Sequence, residues 1–526
     1  MPGTPRNFAR DIMDRWAARR PHDTALYHID LEGQATRWSF FDIQGISDRT
    51  AAWLMQKGIG FGDRVLLVLG KDPLFWPVMM ALNKIGAVPM PGTTQLTTQD
   101  LWYRLEAAGA ECAIVLPNIA ARIDQGAQRR LRSQIAVGTA ESIPTSWSRL
   151  GLDTIEIHSA PLQAKPTMED DPCLIYFTSG TTGHPKMVLH NQAYPFAHQI
   201  TADYWLGLGP QDLHWNVSDT GWAKAAWSSL FGPWMAGSGI VVDPMTGKFS
   251  AADLLTILDS HPITSLCAPP TVYRLLVQED LTRLRSGSLR SLVGAGEPLN
   301  PEVIDAVREM TGLTIRDGYG QTETVVLIAN APGLAVKPGS MGKPAPAFEM
   351  AIIDHEGRPA PANQEGDIAI MVNPSRPPGL FVEYLGDPEG TLSRFIGDYY
   401  ITGDRAYLDS DGYYWFVGRA DDVIISSGYR IGPFEIESLL IEHPSVVEAA
   451  VVSSPDPIRG EVVKAFVVLK PGVTGDDQLV LTLQNHVKAA TAPYKYPRRI
   501  EFVPELPKTI SGKIRRVVLR QKEWAR

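Results

Sequence analysis

A chain of 526 residues with 49 basic and 58 acidic side chains, 44 % apolar and 20 % charged, has ordinary globular usage, which excludes a disordered or coiled-coil protein. At roughly 100–200 residues per domain there is room for two to four domains. The net charge of −9 argues against a protein held mainly by nucleic-acid phosphates, although a local basic site remains allowed.

Cys112, Cys173 and Cys267 are far apart and follow no metal-ligand spacing, which points to a reducing compartment and no disulfide scaffold. No run approaches the roughly 20 apolar residues of a membrane span. The first twenty residues hold five arginines but no apolar segment and no small-residue cleavage site, so they are not a secretory signal. They read either as an Arg-rich organelle transit peptide or as a docked helix. Asp11, Asp14 and the periodic Ile12 and Trp16 favour the helix, and with it a cytoplasmic protein, an organelle matrix staying open.

Phe40, Ile43, Ile46, Ala51 and Leu54 recur at helical intervals, with Ser39 as N-cap and Asp42 in the first turn. A strand over Val65–Leu69, a helix around Pro77–Ile85 and a strand near Ala87–Met90 follow. The alternation continues through strands at Cys112–Leu116, Leu174–Thr178 and Gly239–Val242, a helix at Ala251–Ser260, and strands at Ser265–Ala268 and Ser291–Val293. Short apolar strands between helices predict largely parallel α/β layers. Near Lys343 the pattern changes. Met350–Ile353, Asp367–Val372 and Tyr413–Val417, joined through turns at Asp354–Gly357 and Asp409–Gly412, read as antiparallel strands. After about Ala420 comes a separate small α/β unit: helix Pro433–Glu442, strands Val446–Val452 and Val463–Leu469, helix Asp477–Ala490, strand Arg499–Val503 and a basic tail.

Four motifs carry chemistry. Thr178-Ser179-Gly180-Thr181-Thr182-Gly183-His184-Pro185-Lys186 combines two glycines, hydroxyl donors and a lysine, a phosphate-cradling composition that equally suits a polar turn after a strand. It is not a Walker A loop, because no Gly-Lys-Ser/Thr stands at the required spacing. Asp317-Gly318-Tyr319-Gly320-Gln321-Thr322-Glu323 reads as a Gly-rich turn. Its tyrosine either lies against a base or is structural, and Glu323 offers a hard oxygen to Mg²⁺. Asp404 in Thr402-Gly403-Asp404 and Arg419 in Gly418–Asp422 either grip two ribose hydroxyls or form a surface pair. Thr509-Ile510-Ser511-Gly512-Lys513 puts a lysine on a Gly-containing tail.

In this order, and with Ser218–Trp222 (SDTGW), Gly418–Ser438, Ser453–Leu469 and Thr491–Val503, the motifs resemble the adenylate-forming superfamily, and within it the medium-chain acyl-CoA synthetases. The resemblance runs along essentially the whole chain. It implies an α/β fold: a large N-terminal domain of α/β layers with a small β-barrel-like subdomain over residues 1–420, then a small mobile C-terminal α/β domain over 421–526. It implies an ATP-dependent acid–thiol ligase in which a carboxylate attacks the α-phosphorus of MgATP and CoA thiol then displaces AMP. The partners are a medium-chain fatty or aromatic acid, ATP and CoA.

Carried over by motif, Thr178–Lys186 faces the β- and γ-phosphates, and Gly296-Glu297-Pro298 with Asp317-Gly318-Tyr319 walls the adenine. Gly320 and Gln321 continue that site. Thr322 stands near the α-phosphate and carboxylate, Glu323 by the metal, Asp404 and Arg419 at the ribose. Lys513 reaches the reacting groups and Asp421 is the hinge. For CoA the resemblance points to Gln95, Ser427, Gly428, Tyr429, Arg430, Arg459, Tyr494, Lys495 and Tyr496, the last three otherwise simply packing the small domain. Five of the 13 tryptophans (Trp205, Trp215, Trp222, Trp227, Trp234) fall within 30 residues. Trp222 is taken as an acyl-pocket wall beside Asp317 and Thr322. Asp317 and Gly318 stand where the medium-chain group commonly has glutamate and serine, and His184 where an apolar residue is usual. An enzyme loading a carrier protein and a luciferase-like oxidoreductase are the alternatives, the first disfavoured by the CoA-type residues.

Overall fold

The computed structural model describes residues 3–126, 130–156, 162–178, 185–243, 245, 249–426, 429–457, 459–492, 494–508 and 513–525, the side chains of 286 and 430 excepted. The predicted start of the chain is a docked helix. Ala9–Met13 and Asp14–Arg19 run on from one another, with Phe8, Ala9, Ile12 and Met13 buried. Trp16 Nε1 donates to the Trp234 carbonyl at 2.9 Å. Ser39 caps the helix Phe40–Gln56 in a reciprocal box with Asp42, satisfying two backbone donors otherwise left open.

The largest sheet has nine strands in the order Lys343–Pro344, Ile328–Ala329, Ile315–Tyr319, Ser291–Ala295, Ser265–Ala268, Leu213–Asn216, Gly239–Val242, Thr24–Ile29, Ala35–Ser39. Its centre is parallel from Ile315–Tyr319 to Thr24–Ile29. A second, fully parallel sheet has the order Val88–Pro91, Arg64–Val68, Cys112–Val115, Ser133–Val137, Ser148–Leu150. Parallel strands covered on both faces need continuous apolar runs, and Val65–Val68 is wholly buried.

Two expectations are corrected. Leu174–Thr178 does not join a parallel layer. The strand Pro172–Thr178 pairs antiparallel with Lys186–Asn191, which pairs in turn with Glu383–Tyr384. The Thr178–Lys186 motif therefore joins two strands of a hairpin. Asp317-Gly318-Tyr319 is not a turn either: it ends the strand Ile315–Tyr319, in parallel register with Gly294 and Ala295. Glycine is tolerated there because another side chain occupies its space. A Cβ on Gly318 would lie 2.5 Å from the Trp205 ring.

The antiparallel region is a sheet of Met350–Ile353, Gly366–Met371, Tyr399–Leu408 and Phe395–Ile396, with Tyr414–Arg419 also paired to Tyr399–Leu408. The last unit has a five-stranded sheet of Tyr429–Ile431, Ile424–Ser426, Gly460–Leu469, Val446–Asp456 and Arg499–Phe502. Its two apolar clusters draw only on residues from Ile424 onward. Arg516, on the final helix Arg516–Trp524, makes a two-pronged contact with Glu437 at 2.9 and 2.6 Å. Arg520 donates to the Asp421 carbonyl at 2.6 Å. The three cysteines are free and buried, and no helix among the described residues is long and apolar enough to cross a membrane.

Candidate active site

The strands Ser291–Ala295 and Ile315–Tyr319 end side by side, and the motif residues gather beyond their C-terminal ends, the usual ligand edge of an open α/β sheet. Gly296 leaves the first strand at φ +102°, a conformation that favours glycine. Glu297 then accepts from Thr271 Oγ1 at 3.1 Å and Arg274 Nη2 at 3.2 Å, and Pro298 is half-buried beside it. On the second strand Asp317 is 6 % exposed. Burial pushes its carboxyl up to about 8, opposed by the Gly318 N–H and the charge of Lys224.

Gly320 is as constrained as Gly318: a Cβ there would meet Trp227 and the Val325 carbonyl at 2.5 Å. Trp205 and Trp227 thus press on the two glycines that flank Tyr319. Trp205, Trp215 and Trp234 are completely buried and Trp227 nearly so, leaving Trp222 as the half-buried member of the group. It caps the short helix Ala223–Ser228. Its position follows from Gly221, whose missing side chain lets the chain lie against the backbone of Gly92 and Thr93. Gln95, two residues after Thr93, is exposed.

The expected ribose pair is brought together by the sheet. Asp404 and Arg419 are direct partners in the ladder between Tyr399–Leu408 and Tyr414–Arg419. Asp404 accepts from Tyr319 OH and Gln321 Nε2, each at 2.7 Å. Burial raises its pKa, while Tyr319, Arg419, Gln321 and Lys513 pull it back. Gln321 also donates to the Thr402 carbonyl at 2.9 Å, so the second and third motifs are one hydrogen-bonded unit.

Glu323 accepts from Tyr384 OH at 2.6 Å. The Tyr384 ring lies 4.4 Å from Lys186 Nζ, and Lys186 stands 3.8 Å from Asp387. Register explains the meeting, since Tyr384 pairs with Val188 two residues beyond Lys186. The Thr322 carbonyl is held by His190 Nε2 at 2.8 Å. That imidazole stacks on Tyr194 at 3.7 Å, and burial drives its pKa down to about 3. It therefore stays neutral and must carry its proton on Nε2. Tyr384 and His190 were not found by sequence reasoning. An isolated Tyr in E-Y-L and an isolated His in an apolar strand carry no local signature, and only strand pairing reveals them.

Lys513 is exposed, yet its charge acts on both Asp404 and Lys224, so the C-terminal unit presents it to the cleft. Asp421 lies in the turn Ala420–Asp422 directly after Arg419. Ser179–His184, Ser427 and Gly428, and the side chain of Arg430, lie outside the described residues. Thr178, Pro185 and Lys186 are half-buried. Among the expected CoA contacts, Tyr429 and Tyr494 are exposed and stacked at 4.2 Å. Lys495 is instead paired with Glu435 at 2.6 Å, and Tyr496 packs against the apolar core of the small unit. The Arg459 N–H caps onto Asp456 at 3.0 Å.

This arrangement defines an adenylate-forming enzyme, and sequence comparison agrees. The AMP-binding enzyme family matches residues 13–376, and the AMP-binding enzyme C-terminal domain matches residues 435–513. The chain belongs to this family. Among its relatives is the acyl-coenzyme A synthetase ACSM3, mitochondrial, of Homo sapiens, 48 % identical over 98 % of this chain and 90 % of that protein. Among solved structures it is similar to the anthranilate CoA ligase AuaEII in complex with anthranoyl-AMP, with a TM-score of 0.89, 30 % identity, and 99 % and 98 % of the two chains covered. MatB from Rhodopseudomonas palustris matches over 97 % of this chain and 99 % of its own. Its TM-score is 0.82 at 25 % identity with ATP bound and 0.74 at 26 % identity in the apo form.

Proposed function

We propose that this cleft activates a medium-chain fatty or aromatic carboxylic acid with ATP and passes the acyl group to CoA. The protein is thus an AMP-forming medium-chain acyl-CoA synthetase. The observation that carries the reading is the convergence of Lys186–Tyr384–Glu323, Tyr319–Asp404–Arg419 and Lys513, drawn from several elements, around the segment that ends the strand Ile315–Tyr319 and follows it. A carboxylate is a poor nucleophile toward a polyanion, so catalysis depends on cations and donors fixed around the α-phosphorus.

In this reading Thr178–Lys186 faces the β- and γ-phosphates, Lys186 being supplied by the hairpin. Glu297 and Pro298 on one side and Gly318 and Tyr319 on the other bracket the base. Asp404 and Arg419 take the ribose hydroxyls. Thr322, its carbonyl immobilised by His190, offers its hydroxyl to the α-phosphate and carboxylate. Lys513 neutralises the attacking carboxylate during adenylation, and the closer match to ATP-bound than to apo MatB supports that arrangement.

Mg²⁺ suits Glu323. One carboxylate oxygen is fixed by Tyr384, and Mg²⁺ is held typically by one or two carboxylates plus substrate phosphates. When bound, the ion screens the phosphate charge.

Rotation about Asp421 then withdraws Lys513 and brings Ser427–Arg430 and their neighbours to the acyl group. The exposed Tyr429–Tyr494 stack supports a flat ligand such as the CoA adenine. Gln95, Arg430 and Arg459 are assigned to the rest of CoA, whereas Lys495 and Tyr496 would have to leave Glu435 and the small unit's core to reach it. The acyl chain lies toward Trp222, with Asp317 at its carboxyl end. Buried free thiols suit the cytoplasm or an organelle matrix. The test is CoA-dependent release of AMP and pyrophosphate across a panel of short- to long-chain and aryl acids. A maximum among the medium-chain or aryl members is expected, and no pyrophosphate with any acid refutes the reading.

A further inference from the structure

Lys224 was singled out by no motif, yet its ammonium lies at the end of the strand Ser291–Ala295, within electrostatic reach of Glu297, Asp317 and Lys513. Its Nζ donates to the Ala295 carbonyl at 2.9 Å, its single hydrogen-bond partner among the described residues. An ammonium has three donors, so two are unspent among the described residues. Ala295 is the last residue of its strand and pairs in register with Gly318, which puts the ammonium at the C-terminal edge of two adjacent strands. The side chain is half-buried rather than sealed, so the cleft reaches it. It makes no ion pair among the described residues, although Cys267, Glu297 and, when ionised, Asp317 are close enough to favour its charge and Lys513 close enough to oppose it. Burial lowers its pKa. A desolvated cation with unspent donors and no carboxylate within ion-pair distance among the described residues is a receptor for an anion.

We infer that Lys224 binds the carboxylate of the acid substrate and then the carbonyl oxygen of the acyl-adenylate, as the contact that stays with the large domain when Lys513 leaves. This rests on the acid–thiol ligase reading above. In the first step one carboxylate oxygen attacks the α-phosphorus, and the bond to pyrophosphate breaks with its electron pair leaving on pyrophosphate. The other oxygen becomes the acyl carbonyl and keeps its contact with Lys224. In the second step the CoA sulfur attacks the carbonyl carbon, AMP leaves with the C–O electron pair, and the thiol proton goes to solvent. Lys224 remains an ammonium throughout. The charge built up on the carbonyl oxygen in that step is met by a group that has not moved.

The test compares Lys224→Met and Lys224→Gln in both half-reactions, with hexanoate and benzoate as acids. Calorimetric binding of AMP and of hexanoyl-sulfamoyl adenosine, an unreactive mimic of the acyl-adenylate, supplies a readout besides activity. Loss of a charged hydrogen bond is expected to raise KM for the acid and weaken the mimic about tenfold or more. KM for ATP and the affinity for AMP are expected to change little, and thioester formation from supplied hexanoyl-AMP is expected to slow as well. Gln still donates to Ala295, so a structural role is rescued by Gln. Wild-type acid KM and mimic affinity in Lys224→Gln overturn the inference, as does an unimpaired thioester step in Lys224→Met. A wild-type protein that releases no pyrophosphate refutes the ligase reading itself, and the inference falls with it.

Discussion

The hydroxyl of Tyr384 donates to Glu323 at 2.6 Å while its ring lies 4.4 Å from the ammonium of Lys186. One side chain thus orients both the expected metal-associated carboxylate and the phosphate-side cation. A hydrogen bond to a charged group contributes about 1.5–3 kcal/mol, so Tyr384→Phe is expected to slow pyrophosphate release by about tenfold and to raise the Mg²⁺ requirement. Tyr384→Leu also loses the ring beneath Lys186, worth about 0.5–1 kcal/mol, and is expected to be slower still. A magnesium titration of both variants checks this, and equal rates in all three proteins refute it.

Lys513 acts electrostatically on Asp404 across the cleft. Lys513→Ala is expected to reduce acyl-AMP formation by about two orders of magnitude or more, leaving thioester formation from supplied acyl-AMP largely intact. Equal loss in both half-reactions contradicts this division of labour.

Asp421 belongs to a short turn whose carbonyl is held by Arg520. Proline fixes φ and restricts the residue before it. Asp421→Pro is therefore expected to impair the thioester step more than adenylation, measured by single-turnover assays of each. Losses of the same size count against a hinge here.

Glu437 is 4 % exposed and carries both prongs of the Arg516 contact, three residues after Lys513. Removing one partner of a buried pair costs about 3–5 kcal/mol, less here because Arg516 is partly solvated. Glu437→Gln is expected to lower the melting temperature and to depress adenylation more than thioester formation. An unchanged melting temperature refutes this.

Asp317 binds its proton more tightly folded, at about 8, than an ordinary carboxylate does. Between about pH 4 and pH 8 the folded state holds a proton that the unfolded state has lost. This carboxyl's contribution to stability therefore falls as pH rises through that window, by ~1.4 kcal/mol per pH unit. Asn does not titrate, so the melting temperature of Asp317→Asn relative to wild type is expected to climb from pH 5 to pH 8.5. A flat difference rules this out.

Much of the fold was legible because its signals are local. Apolar runs gave Gly239–Val242 and Ser265–Ala268 to the residue, and the Ser39/Asp42 box gave a helix start. What misled was pairing. Pro172–Thr178 has the apolar texture of a parallel strand, but its partner is the next strand in sequence. Gly318 looks like a turn residue until Trp205, more than a hundred positions away, is seen occupying the space of its absent side chain. In the site, motif residues were legible by type and order. Tyr384, His190 and Lys224 were not, because each depends on register or packing that a single chain of letters does not display.

Asp404 and Arg419 face each other at the last rung of their ladder, and the chain passes from that rung straight into the Ala420–Asp422 turn. Under the proposed roles, in which this pair holds the sugar and the lobe turns at Asp421, torque from the lobe is borne first by the rung that grips the nucleotide. Departure of spent AMP and the angle of the lobe are thereby geared to one another through two adjoining residues, without a relay across the rest of the molecule.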